Sequence, residues 1–526
     1  MDGHEIDFLI FRNRIGDNSG PTAAPREPLV PVPVFSLVMM TRHPPLSLVF
    51  ALSLLLPASL PAAPTLADPF STADRAAAGP GRAGRGAQPD DPCRPHATAV
   101  EPWSLVDAID QALCRNPKTR AAWANARYQA AQVGAGQAAY LPTVTITANA
   151  SRSANASSTV GSSQQLTTVQ TVGGGGTSSR EQFRVTPQVS LNYLLFDFGG
   201  RAAKLDNALH ALAAANWSHD AAIQAVMLAA VQAYYQVFAT GAAVDSARTA
   251  LASSDEALKA ATVRHEVGTV ALADALQAKT AFAQAKVNLQ KALGDARIAL
   301  GTLANALGLQ ADRELRIEPP ALAGPDRERE ADVHRLIEDA KRLRPDLAAA
   351  ESQVQAAEAN VAVARSASLP TVSLVGNYGY SYSSAFADTE SWSVGLQLSV
   401  PLFTGFANTY QIRGAEEQAE VQRANREQLE QTVSLDVWRA YHQLQTARET
   451  LASSEDLVAS ANQSENVALG RYKAGAGSIL DLLNAQAGLA NARLQNIQAR
   501  YDWLTRKAVL AQAIGRLDLD TVTRPD

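Results

Sequence analysis

The sequence predicts a mixed α/β membrane protein, a duplicated unit of very long α-helices that carries four β-strands per chain. Three observations predict it. An internal repeat spans residues 103–515. Each copy holds two runs in which apolar and polar residues alternate strictly. Each copy also holds a very long helical stretch without proline.

The repeat sets the frame, because an internal period of this kind decides the architecture. Asn116-Pro117 recurs as Arg344-Pro345, and Leu141-Pro142-Thr143-Val144 as Leu369-Pro370-Thr371-Val372, both at one common offset. Ala233-Tyr234 matches Ala440-Tyr441, while Arg264, Gly268, Asp274 and Leu276 match Arg471, Gly475, Asp481 and Leu483, all at a second, shorter offset. The two offsets differ because the first copy carries a longer Ser/Thr/Gly loop, including Gly173 to Gly176. The copies fall at 102–315 and 331–515, with a linker at 316–330 and a C-terminal tail at 516–526.

Each copy opens with helices, at about 103–139 and 331–367. They stop before a Leu-Pro pair, since proline removes a donor and its ring clashes with the preceding turn. Strands follow at about 142–150 and 183–197 in the first copy, and at about 370–383 and 391–403 in the second. In the first strand Val144, Ile146 and Ala148 alternate with Thr145, Thr147 and Asn149; in the last, Trp392, Val394, Leu396 and Leu398 alternate with Ser393, Gln397 and Ser399. A period of two gives a strand one apolar and one polar face. Residues 201–263 then contain one glycine, Gly241, and no proline, and residues 406–470 contain no proline. At 1.5 Å per residue such helices reach about 90 Å, and Leu251 and Leu258 stand at heptad spacing, as in coiled coils. Gly268 and Gly475-Ala476-Gly477 mark tight turns. Helices return over about 271–309 and 478–515.

The alternating strands fit either a soluble sandwich, apolar face on a core, or a membrane barrel, apolar face to lipid and Thr/Ser/Asn face to a wet lumen. Their neighbours decide. Long Ala-rich helices offer no second sheet to cover four strands. Tyr378, Tyr380, Tyr382 and Trp392 gather near the loop end of the second hairpin, as interfacial belts do. Residues 151–182 have the composition of a solvated extracellular loop. Four strands cannot close a barrel when the smallest bacterial ones use eight, and lipid tolerates no open sheet edge. Several chains must therefore share one barrel, and this argument alone allows two, three or four.

The N-terminal region reads as an address. Leu46 to Leu56 is an apolar run too short to span a bilayer; it follows Met40-Thr41-Arg42-His43 and leads to Thr65-Leu66-Ala67. That is the pattern of a secretory signal peptide, over residues 40–67, rather than of a buried helix. Cleavage after Ala67 starts the mature chain at Asp68, and residues 1–39 read as an upstream start-site extension. No later apolar 20-mer follows, which fits export to an outer membrane. Residues 68–101, rich in Ala, Pro, Gly and Arg, read as a flexible leader. Cys93 and Cys114 both lie beyond the signal, where an oxidising compartment permits a disulfide between them or two separate buried thiols. Asp91-Pro92 before Cys93 argues against a lipid-modified cysteine.

Composition excludes several functions. Lys and Arg number 46 against 51 Asp and Glu, a formal charge of −5, so there is no basic footprint for nucleic acid. A mean hydropathy of −0.10 is too low for a bundle of many membrane helices. Two cysteines build neither a disulfide scaffold nor a zinc ribbon. The eight histidines are scattered without a His-Glu-x-x-His motif, and Gly173–Gly176 lacks the Gly-Lys-Ser/Thr of a phosphate loop. The sequence thus predicts no catalytic residue, metal site or cofactor, and not an enzyme.

Ser104-Leu105-Val106-Asp107-Ala108-Ile109, then Ala112-Leu113 and Asn116-Pro117, open the first copy; two Leu-Pro strand starts and two Arg-x3-Gly-x5-Asp-x-Leu turns follow. On these residues the chain resembles the TolC family of outer-membrane channel-tunnels, over residues 103–515. The resemblance implies a homotrimer in the bacterial outer membrane with a shared 12-stranded β-barrel and a long α-helical coiled-coil barrel through the periplasm. It implies as partners a periplasmic adaptor protein and an inner-membrane ABC transporter or proton-driven pump. Within the family the chain is similar to outer components of adenylate cyclase-haemolysin exporters. Type I protein secretion is then the leading function and multidrug efflux the alternative; the lack of a lipid-modified cysteine leans the same way. A periplasmic coiled-coil scaffold would leave the strands unexplained, and a simple porin would need no pump.

The resemblance also places the helix turns at the tunnel's periplasmic tip. Asp274 and Asp481 each follow a turn glycine, Gly268 or Gly475, at the same spacing. Threefold symmetry would gather six such carboxylates into a cation-attracting ring. A plainer account serves the same residues, because acids stabilise helix N-termini. Asn484 lies one helical turn beyond Asp481 on the same face, where many family members carry a second acid, so this mouth is less negative. Tyr472 matches a position that helps latch the closed tip, and Gly477 replaces the family's latch arginine.

Overall fold

The computed structural model describes residues 68–76, 102–157, 178–320, 332–384 and 387–518. The expected start-site extension, the signal peptide and Cys93 lie outside the described residues; Cys114 is not a free thiol.

Both copies follow one plan. The first is α1 (Leu105–Arg115), α2 (Pro117–Ala138), β1 (Thr143–Ser157), β2 (Ser178–Phe196), α3 (Gly200–Glu266) and α4 (Leu272–Ala306). The second is α5 (Val333–Leu343), α6 (Pro345–Ser366), β3 (Thr371–Ser383), β4 (Thr389–Ser399), α7 (Ala407–Lys473) and α8 (Ile479–Ile514). The opening helix pair is broken in each copy at the residue before proline, which is pushed out of the helical region. Asn116 has φ −64° and ψ 128°, and Arg344 has φ −71° and ψ 123°. Asn116 then turns its break into a cap, its side chain accepting from the Lys118 N–H at 2.9 Å.

The returning helices end against these breaks. Gly308 and Gly515, which match in the repeat, carry φ +70° and +81°, the left-handed conformation that favours glycine at a helix end. A Cβ on Gly308 would lie 2.7 Å from the Arg115 carbonyl, and one on Gly515 2.9 Å from the Leu343 oxygen. Backbone meets backbone there, and no side chain fits.

The strands form one antiparallel sheet in the order β1-β2-β3-β4. Its apolar face stands open, with Ile146 74% and Leu396 70% exposed. Within the chain β1 and β4 each have one neighbour. The first hairpin is longer than its alternation indicates, pairing from Thr143↔Asn192 out to Ser157↔Ser178, deep into the segment read as loop. Ladder bonds need only backbone groups, so Ser, Arg and Asn carry the hairpin beyond its apolar part. The second hairpin stops at Ser381↔Thr389 and sets Tyr378 opposite Trp392.

Two apolar cores sit at mid-length of the long helices. One gathers Ile109, Val226, Val231, Tyr234, Leu303 and Leu307; the other gathers Ala340, Leu347, Val433, Val437 and Ala513. Tyr234 donates to the Glu318 carbonyl, and Trp103 bridges in parallel to Ile317, tying the linker down. Along one stretch helix α3 is long and apolar enough to cross a membrane, though Gln224, Gln232 and Gln236 interrupt it. Its Ala, Val and Tyr pack on α1 and α4 instead. Residues 68–76, expected to be leader without structure, form a 3-10 turn (Ala73–Arg75) against α2 and α3, with Asn216 donating to the Arg75 carbonyl at 3.2 Å.

Candidate functional site

At the far end of the long helices two turns share one bonding scheme. In the first, Thr269 N–H donates to the Arg264 carbonyl and Gly268 N–H to His265, both at 2.9 Å; in the second, Ala476 donates to Arg471 at 2.9 Å and Gly475 to Tyr472 at 3.1 Å. This double closure needs a left-handed residue after the helix, and Gly268 and Gly475 supply it with φ +75° and +73°. Gly477 answers a different need. A Cβ there would stand 3.0 Å from the Arg471 Cβ, so the glycine lets the turn lie close on the end of α7.

The two hairpins pack together. Ala257 and Ala261 of α3 and Ala278 of α4 face Tyr472 of α7 and Ile479 and Leu482 of α8. Arg264 fastens the contact, donating to the Tyr472 carbonyl at 2.8 Å and the Lys473 carbonyl at 3.2 Å, with its guanidinium 4.2 Å from the Tyr472 ring centre. The last two carbonyls at the negative end of α7, of which that of Tyr472 also accepts from the Gly475 N–H, meet a planar cation that fits both. The Tyr472 side chain is buried, and its hydroxyl has no hydrogen-bond partner among the described residues. Tyr472 therefore serves as a platform for Arg264 within the protomer. The sequence flagged Arg264 only as a repeat landmark. Its place just before the turn glycine signals a helix-end cation, but nothing local shows that it caps the other hairpin.

The two acids differ. Asp481 belongs to a capping box, its N–H donating to Ser478 Oγ at 3.1 Å while its carboxylate accepts from the Ser478 N–H at 3.4 Å. Asp274 stands at the matching place in the first turn of α4, where Ala271 offers no capping side chain. Asp481 and Asn484 are exposed, and Asp274 is half-buried. Nearer the sheet, a hollow of about 360 Å³ between α2, α3, α6 and α7 is lined by Asn125, Gln129, Ser218, Gln353, Gln418 and Gln422 together with alanines of α3 and α6, without a charged side chain. Among the described residues no cluster of three metal-ligating side chains occurs.

Comparison with known proteins agrees with this geometry. Residues 108–309 and 336–516 match the family model of outer membrane efflux proteins. The chain is 32% identical to protein CyaE of Bordetella pertussis over 82% of its own length and 88% of that protein. It is 26% identical to the outer membrane efflux protein BepC of Brucella suis, over 79% of this chain and 86% of that one. The solved outer-membrane channel OprN superposes with a TM-score of 0.66 at 23% identity, covering 78% of this chain and 89% of its own. The four-stranded sheet with two open edges is one protomer's share of a 12-stranded barrel in the outer membrane, and the helices are its share of the periplasmic tunnel. The chain belongs to the outer membrane efflux protein family, the TolC-type channels.

Proposed function

We propose that the protein is the exit duct of a type I secretion system, passing a protein from an inner-membrane ABC transporter and its adaptor to the outside. The observation that carries a duct is the joining, in one chain, of an open-edged sheet with a bare apolar face to helices of 67 residues. At 1.5 Å per residue such helices run about 100 Å. Nothing in this role calls for a chemical step, and the reading is of a conduit rather than an enzyme. Protein cargo is favoured by the resemblance to cyclase-haemolysin exporters and by the higher identity to CyaE than to the efflux protein BepC. The test is complementation of a host lacking its own exit duct, supplied with an ABC transporter, adaptor and cargo protein. Cargo should appear in the medium. Restored drug resistance without cargo would replace this reading with multidrug efflux.

We also propose that Asp274 and Asp481 line the periplasmic mouth as a ring of six carboxylates in the trimer. Their matching places at the two turns support it, as does the lack of a side-chain partner for Asp274 among the described residues. Replacing both by Ala should reduce cation preference and weaken block by multivalent cations in planar-bilayer recordings. Unchanged selectivity and block would leave only the helix-end role.

A further inference from the structure

The two hairpin tips are repeats, yet only one of them is clasped. Arg264 reaches from the first hairpin to the end of α7 in the second. Its repeat, Arg471, is exposed and among the described residues donates only within its own turn, to the Ala476 carbonyl at 3.4 Å. In the register that pairs Arg264 with Arg471, the partners Tyr472 and Lys473 correspond to His265 and Glu266, at the end of α3. Among the described residues no side chain caps those two carbonyls. The apolar surfaces repeat the same imbalance. Ile479 and Leu482 are buried by the first hairpin, whereas Leu272, the repeat of Ile479, is 56% exposed, and neighbouring Leu276 is 53% exposed.

We propose that Arg471 of each protomer clasps the end of α3 in the adjacent copy of this chain. Its guanidinium donates to the His265 and Glu266 carbonyls and lies over the His265 ring, while Leu272 and Leu276 are covered by the neighbour's second hairpin. The occupant is named by the repeat itself: the surface that fits hairpin one is hairpin two, and the protomer's own second hairpin already lies on the other side. Six arginine clasps then alternate around the tip, three within protomers and three between. The carbonyls at the end of α3 and the forked cation supply the same chemistry that Arg264 displays inside the chain.

The proposal rests on the threefold assembly, so the test measures that first, as the mass of the detergent-extracted complex. Chains carrying Arg471→Cys are then co-expressed with chains carrying Glu266→Cys and oxidised. A covalent dimer present in the mixture and absent when either variant is made alone is the expected result. A trimer of correct mass that yields no such dimer overturns the clasp; a monomer overturns the assembly and the clasp with it. In a second measurement, Arg471→Ala should raise hydrogen exchange across residues 263–276 at least tenfold and leave residues 468–482 unchanged, while Arg264→Ala should do the reverse. Equal patterns in the two variants would also refute it.

Discussion

In the first copy, α2 lies on α3 through an apolar seam of Ala130, Val133 and Leu212, backed by Leu205 and Leu209, and no ion pair crosses it among the described residues. In the second copy, α6 and α7 share a smaller seam of Val361, Ala415 and Ala419 and are tied by ion pairs. Arg365 meets Glu416 at 2.7 Å, Arg423 meets Glu358 at 2.6 Å, and Arg426 meets Glu351 at 3.1 Å. The repeat register pairs these charges with Gln137, Leu209, Asn216, Ala130, His219 and Trp123 in the first copy. One backbone plan thus holds with two chemistries. The docked segment at residues 68–76 accounts for part of the difference. It packs Ala76 on the apolar seam and takes a hydrogen bond from Asn216, where the second copy has Arg423 paired with Glu358 and Glu420. The helix breaks, the end glycines Gly308 and Gly515 and the turn glycines Gly268 and Gly475 recur in place, so these fix the architecture while the side-chain seams are free to drift.

The tips show the largest contrast that a substitution can break. Leu482 is 1% exposed, and its repeat in the first hairpin is Ala275. Leu482→Ala should cost about 2–5 kcal/mol of local stability, as for other leucines cut back in a packed core. Hydrogen exchange of residues 257–261 and 472–482 would read this, and little change would mean that the tips are not packed together. Arg264→Ala comes next. It removes two charged hydrogen bonds and a ring contact from a partly exposed site, worth together about 2–3 kcal/mol. Arg264→Lys should recover little, because an ammonium cannot span both carbonyls.

A third comparison is electrostatic. His219 is buried in α3 and Asp220 beside it is largely covered, 3.9 Å away, and each has an atom without a hydrogen-bond partner among the described residues; their repeats Arg426 and Glu427 are exposed. Burial lowers the His219 pKa and raises the Asp220 carboxyl to about 6. The folded protein therefore holds a proton on Asp220 that the unfolded chain releases near pH 4. The stability linked to it is complete below pH 4 and is lost as pH rises to 6. Asp220→Asn should slow exchange around residues 216–224 at pH 7.5, by about 1–2 kcal/mol after allowing for partial exposure, and change little at pH 4. Glu427→Gln should do neither. An equal effect of Asp220→Asn at both pH values would remove the buried-charge account.

What the sequence made legible follows from the range of each signal. Alternation, proline breaks and turn glycines act over short stretches, and they point to the two helix turns at Gly268 and Gly475 and to the second strand pair, which the structure has at Thr371–Ser383 and Thr389–Ser399. The length of β1 and β2 was not legible, because Ser151 to Ser157 keep pairing without an apolar face to announce it. The roles of Gly308 and Gly515 depend on the backbone at Arg115 and Leu343, in helices far off along the chain. Arg264 depends on the Tyr472 and Lys473 carbonyls, which belong to the other copy of the repeat. No local pattern encodes such contacts. The helix-end role of Asp481 was legible from its place after the turn glycine, and the structure adds the capping box it makes with Ser478.

The smallest expected effect tests the opening contrast most directly. If the second copy is held partly by ion pairs and the first is not, salt should separate them. Arg426 bonds both Glu351 of α6 and Glu430 of its own helix, with side chains about half exposed or less. Such pairs contribute about 0.2–1 kcal/mol and weaken as the screening length shrinks from about 8 Å to 3 Å between 0.15 M and 1 M salt. Arg426→Ala should therefore speed exchange in residues 347–361 by roughly twofold to fivefold at low salt, and by almost nothing at 1 M. In the wild-type protein the same rise in salt should loosen α6 against α7 and leave α2 on α3 untouched, because burying apolar area is insensitive to screening. Sulfate would blur the result by strengthening apolar burial, so the titration belongs in sodium chloride. Equal salt responses in the two copies would show that the ion pairs are decoration on a seam held, like its repeat, by Val361, Ala415 and Ala419 alone.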